Sequence, residues 1–128
     1  KHLTNFERDH RVKFVGTVYD RDLLNYIREN AFAYIHGHEV GGTNPGLLEA
    51  LGHTKLNLVL DVPFNKSVAG ASAFYWNKTS GNLSCLINDA DGYYDFTEYG
   101  NRARAIVKQN YTWEKIVGEY EGLFLNEN

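Results

Sequence analysis

Methionine is absent from this 128-residue chain, cysteine occurs once and proline twice. A single thiol, Cys85, closes no intramolecular disulfide, so no covalent staple is expected. It lies in an apolar stretch, where cysteine reads as a small core residue rather than a nucleophile. The five histidines stand in no His-Glu-x-x-His pattern and have no cysteine partners, which argues against zinc. His36 and His38, on alternate positions of one apolar segment, are the pair to watch. Excess positive charge is missing too. Thirteen Lys and Arg against 16 Asp and Glu give a net charge of -3, and the basic residues are scattered, so no nucleic-acid surface is expected. No apolar run approaches the roughly 20 residues that span a bilayer, and no signal peptide is visible. Repeats and low-complexity tracts are absent. Asn77, Asn82 and Asn110 open Asn-x-Ser/Thr triplets, read as chance matches in an asparagine-rich chain. The start at Lys1 and the lack of Met read as a processed or excised segment of one domain.

What is present is an alternation of short apolar runs and amphipathic stretches. Val12, Phe14 and Gly16 mark a first strand over 11–16, closed by its glycine. Asp20 and Asp22 open a helix whose predicted buried face is Leu23, Leu24 and Ile27. The run from Ala31 to His36 predicts a strand covered on both faces. A glycine-rich segment follows and leads into a helix marked by Leu47, Leu48 and Leu51 and stopped by Gly52. Asn44 suits the N-cap of that helix and Pro45 its first turn, where a missing N–H costs nothing. Leu56 to Val62 predicts a second buried strand, followed by a loop and a short strand over 71–76. Three helices close the chain, marked by Leu83, Leu86 and Ile87, then by Tyr99, Ala103, Ile106 and Val107. The last carries Trp113, Ile116, Val117, Tyr120 and Phe124, with Thr112 as its cap. The order predicts an α/β fold, a Rossmann-like parallel sheet built from 12–15, 32–36 and 57–61 with flanking helices.

Open parallel sheets bind ligands beyond the carboxyl ends of their strands. The segment 38–46 is the one such loop with the right chemistry. Its glycines allow close backbone approach, and the helix start at Asn44 offers N–H groups and a partial positive charge to a phosphate. Glu49, about one turn into the helix, could accept two hydrogen bonds from a ribose diol. The loop matches neither a Walker sequence nor Gly-x-Gly-x-x-Gly. A tight turn beside an exposed glutamate is the plainer alternative.

Val12-Lys-Phe-Val-Gly16, Ala33-Tyr-Ile-His-Gly-His, Leu47-Leu-Glu-Ala-Leu51 and Tyr111-Thr-Trp-Glu-Lys-Ile-Val-x-x-Tyr120 together resemble the corresponding motifs of family 4 glycosyltransferases, across about residues 11–124. The wording Gly41-Gly-Thr-Asn-Pro-Gly-Leu-Leu-Glu49 is similar to a branch of bacterial rhamnosyltransferases of capsule, cell-wall and exopolysaccharide assembly. The resemblance implies the donor-binding C-terminal half of a two-domain GT-B fold, truncated here, that takes a nucleotide-sugar such as dTDP-rhamnose. Glu49 falls on the ribose-binding glutamate, and Gly42, Thr43 and Asn44 on the loop that holds sugar and phosphates. Gly16 and Thr17, closing the first strand, complete the implied donor contacts. The family's other glutamate falls on Gly41, leaving Glu39 as the substitute candidate. The resemblance implies no cofactor or metal, and a saccharide or lipid-linked acceptor held by a second domain. It places the parent enzyme in the cytoplasm, with peripheral association at the inner membrane face as one arrangement. Two further βα units with a basic pair for the diphosphate would precede residue 11, so this chain alone is expected to be inactive.

Two other readings compete. Asp61 ends a buried strand as a receiver's phospho-accepting aspartate would, but no acidic cluster follows the first strand, so a receiver or nucleotide-sensing module fits less well. An epimerase-like enzyme would need a Tyr-x-x-x-Lys pair and a dinucleotide loop, and neither is present.

Overall fold

The computed structural model describes residues 6–92 and 95–125. Helix α1 (Arg21–Asn30) leads to β1 (Tyr34–His36), α2 (Pro45–His53) and β2 (Asn57–Leu60). Helix α3 (Pro63–Ala69), a 3-10 turn (Gly70–Ser72), β3 (Phe74–Trp76), α4 (Asn82–Asp91), α5 (Thr97–Asn110) and α6 (Trp113–Leu125) complete the order. The three strands form one parallel sheet in the order β1-β2-β3. The α/β architecture expected from the alternation is therefore present.

Strand β2 is central and buried along its whole length, which its run of Leu58, Val59 and Leu60 permits. Successive side chains leave opposite faces of a strand, and two cores follow from that. Val59 joins Leu47 and Leu51 of α2, Val68 and Ala69 of α3, and Ala103 of α5 on one side. Leu58 joins Leu56, Ala90 of α4 and Phe96 on the other, where Phe74 meets Phe96 edge-to-face and lies 4.6 Å from Tyr99. Helices thus cover both faces of a narrow sheet.

Several expected elements differ. The stretch 11–16 is not a strand. Its chain is irregular and exposed, and Gly16 takes a φ of +69°. An apolar alternation becomes a strand only where a neighbour supplies the other half of the ladder. Instead, Arg11 donates to Asp9 at 2.6 Å in a local turn. The third strand of the sheet is Phe74–Trp76. The strand expected over 31–36 shortens to Tyr34–His36 and is covered on one face only: Tyr34 and His36 turn to the covered face, whereas Ile35 is 49% exposed, and Phe32 ahead of the strand is exposed as well. Where a loop was expected after Val62, Pro63 takes the first turn of α3.

Helix starts follow the capping residues. Asp20 accepts from the N–H groups of Asp22 and Leu23 at 3.0 and 3.1 Å, and Thr112 accepts from Lys115 N–H at 3.3 Å. Their predicted buried faces do not follow. Helix α1 buries no residue, and Leu23 and Ile27 are exposed. Helix α6 also buries none, and Trp113, Val117, Tyr120 and Phe124 face solvent. Capping is local, whereas burial needs an opposing surface. Cys85 is exposed on α4 rather than in the core. Among the described residues no helix is long and apolar enough to cross a membrane.

Leu51 is fully buried between α2, β2 and α5, whereas Leu123 on α6 is exposed. Leu51→Ala is expected to cost about 2–5 kcal/mol of unfolding free energy. Leu123→Ala is expected to cost under about 0.5 kcal/mol. Urea denaturation of the two variants checks this, and equal losses would contradict the core assignment.

Candidate functional site

The segment after β1 starts at the carboxyl edge of the sheet and runs into the N-terminus of α2. The start of α2 is built by its first three residues. Asn44 accepts the Leu47 N–H on its side chain at 3.2 Å and on its carbonyl at 3.0 Å. Pro45 has no N–H to offer. Among the described residues this leaves the Gly46 N–H as an unpartnered donor of the first turn. A Cβ on Gly46 would sit 3.1 Å from the Asn44 side-chain oxygen, so glycine lets the cap close over it. Gly41 holds a φ of +116°, a left-handed conformation that glycine adopts without strain.

A buried asparagine with no motif around it ties this loop down. Asn65, buried in α3, donates from its side-chain amide to His38 C=O and to Leu60 C=O, both at 3.0 Å. One side chain thereby fixes the exit of β1 against the exit of β2. The sequence signal for it was Pro63, which opens the short helix that carries Asn65.

The acidic candidates have protein partners. Glu39 pairs with Lys78, which follows β3, so its carboxylate is engaged across the sheet edge. Asp61, after β2, pairs with Lys66 at 2.7 Å, and Lys66 also lies 5.4 Å from the centre of the Tyr75 ring. Glu49 accepts from Arg28 of α1 at 2.7 Å, and the Arg28 side chain is 13% exposed against 53% for Glu49. A second bridge, His53 to Glu29 at 3.0 Å, also joins α2 to α1. Thus Glu39, Gly41, Gly42, Thr43 and Asn44 form one continuous loop, with Glu49 one helical turn beyond. Gly16 and Thr17 lie in the exposed irregular stretch instead, because the strand expected to carry them to the sheet edge does not form.

His36 ends β1 and is 5% exposed. Its Nδ1 lies 3.4 Å from the Tyr34 hydroxyl and its ring 6.1 Å from that of His38, while its Nε2 is buried with no hydrogen-bond partner. Burial, and then the neighbouring His38, hold its pKa below 6.5. Burial likewise raises the Tyr34 hydroxyl, with Arg28 acting against the shift and Glu49 adding to it. No group of three or more His, Cys, Asp or Glu among the described residues could hold a metal ion.

Two measurements test this geometry. With His36 depressed in the folded state, the unfolded chain binds more protons below about pH 6.5. Stability is therefore expected to be full above that pH and to fall below it by up to about 1.4 kcal/mol per unit. His36→Gln should flatten the slope in urea midpoints between pH 7 and 5; an unchanged slope would remove His36 as its source. For the loop, Gly41→Ala is expected to cost about 1–2 kcal/mol through its positive φ. Gly42→Ala, with open space around it and no positive φ, should be near neutral. Equal midpoints for the two variants would contradict that assignment.

Comparison with known proteins adds no assignment, since no protein-family model, curated protein or solved structure matches the chain.

Proposed function

We propose that this chain forms the donor-binding wall of a glycosyltransferase cleft. A nucleotide-sugar, dTDP-rhamnose by the resemblance of 41–49 to the rhamnosyltransferase branch, lies with its diphosphate against the loop after β1 and its ribose diol on Glu49. One observation carries the reading. A glycine-bearing loop leaves the carboxyl edge of a parallel sheet and enters a helix capped by Asn44, with Glu49 one turn further on. Loop amides and the Gly46 N–H would meet the phosphates, where fixed donors favour negative charge developing on a leaving diphosphate. Arg28 occupies one oxygen of the Glu49 carboxylate, and an ionised carboxylate has further acceptor sites for hydroxyls.

The exposed apolar surface supports the same reading. The free edge of β1 and the apolar residues of α1 and α6 are surfaces of the kind that further strands and a second domain cover. In a doubly wound sheet of order 3-2-1-4-5-6, a strand over 12–15 would be the third, separated from β1 by two others. Its lack of a partner here fits that arrangement. The saccharide or lipid-linked acceptor would bind to the second domain, and the transfer would run without a bound metal, in the cytoplasm or at the inner face of the membrane.

Glu49→Gln in the two-domain enzyme is the test. Charge-assisted hydrogen bonds contribute about 1.5–3 kcal/mol, so affinity for the nucleotide-sugar should fall roughly ten- to a hundredfold. Loss of the half-exposed bridge to Arg28 should change stability by no more than about 1 kcal/mol. Glu39→Gln is the comparison: a loss of affinity confined to that variant would move the ribose contact from α2 to the loop. Calorimetry showing equal affinity for wild type and Glu49→Gln would sink the ribose assignment.

A further inference from the structure

We propose that the cleft between α1 and α2 is a separate binding site for a small phosphorylated sugar. The cleft has a volume of about 230 Å³ and is lined by Arg21, Leu24, Asn25 and Arg28 of α1 and by Glu49 and His53 of α2. Positions 21, 24, 25 and 28 share one helix face, as do 49 and 53, so the two helices present a continuous set of side chains to each other.

The lining has a definite chemistry. Arg28 is largely buried, yet among the described residues only its Nη2 has a partner, Oε2 of Glu49. A guanidinium carries five N–H donors in a rigid fork. Its remaining donors are not among the buried polar atoms that lack partners, so they keep some contact with solvent, and Arg28 is one of the residues that line the cleft. Arg21, two turns earlier on the same face, has no ion-pair partner among the described residues. Two long cationic side chains about 10 Å apart along the helix can converge on one phosphate. Asn25 supplies an amide, and the second oxygen of Glu49 is available to sugar hydroxyls. The volume is below the roughly 300 Å³ of drug-sized pockets, which limits the ligand to one sugar ring with one charged group.

The site rests on the cleft and not on a diphosphate at the loop, but both ligands draw on the free oxygen of Glu49 and would exclude one another. Arg21 lies outside the loop and separates the two. The experiment titrates the 128-residue chain with ribose 5-phosphate, ribose and inorganic phosphate, reading amide shifts by NMR and affinity by calorimetry. Ribose 5-phosphate is expected to move amides of α1 and α2 and to bind at least tenfold more tightly than either fragment. Arg21→Gln, an exposed position at the helix start, should keep the fold and weaken binding roughly ten- to a hundredfold. Lys108→Gln, which removes an exposed cation on α5, should leave it unchanged. Shifts confined to the loop after β1, equal binding by Arg21→Gln and wild type, or no binding at all would overturn the site. Ribose 5-phosphate binding by this chain together with unchanged nucleotide-sugar affinity of Glu49→Gln in the two-domain enzyme would sink the transferase reading and leave this one standing.

Discussion

The fold depends on a four-residue strand that sees no water. Strand β2 supplies one side chain to each of two cores and hydrogen bonds to a strand on either side. Removing it would separate α2, α3 and α5 from α4 and leave β1 and β3 without a ladder. Parallel strands have this requirement generally, because their crossovers place helices on both faces and the strand between must be apolar throughout. The backbone groups of β2 are satisfied by its neighbours, and the indole N–H of Trp76 adds a bond to Leu58 C=O at 3.3 Å.

From that strand the geometry of the loop follows in two steps. The carboxyl ends of all three strands share one edge, and Asn65 bridges the exits of β1 and β2 there. Ion pairs from Glu39 to Lys78 and from Asp61 to Lys66 span the same edge. Helix α2 is held against β2 by Leu47 and Leu51, which sets the place where Asn44 and Gly46 begin. A rigid sheet edge, a capped helix and a tied loop are the conditions under which backbone amides can be aimed at an anion without reorganising.

Helix α1 is attached differently. No α1 residue is fully buried, although the Arg28 side chain is largely so, and two polar side-chain contacts to α2, the Arg28–Glu49 ion pair and a Glu29–His53 hydrogen bond, join the two helices. With no residue in either core, unlike Leu47 and Leu51 of α2, α1 is weakly held compared with α2. The same pairs line or border the cleft, so the groups that join the two helices are also the ones a ligand would meet.

Local signals in the sequence settled a definite part of this protein. Asp20, Asn44 with Pro45, and Thr112 start their helices where the residues say they should, because a cap is satisfied within three or four residues of itself. The run Leu58-Val59-Leu60 reads as a buried strand because only such a strand tolerates apolar side chains on both faces. Residues 12–16 show the limit. Their alternation is as clear as that of any strand, yet pairing needs a neighbour and none is present in the sheet. The apolar stripes of α1 and α6 likewise specify a face to be covered and not what covers it. Glu49 could be placed on a helix from the sequence, but its contact with Arg28, 21 residues earlier, belongs to tertiary structure. Asn65 joins two strand exits that lie far apart along the chain. Caps and buried runs are properties of neighbouring residues, whereas the sheet partners, the covered faces and the cleft depend on which surfaces folding brings together.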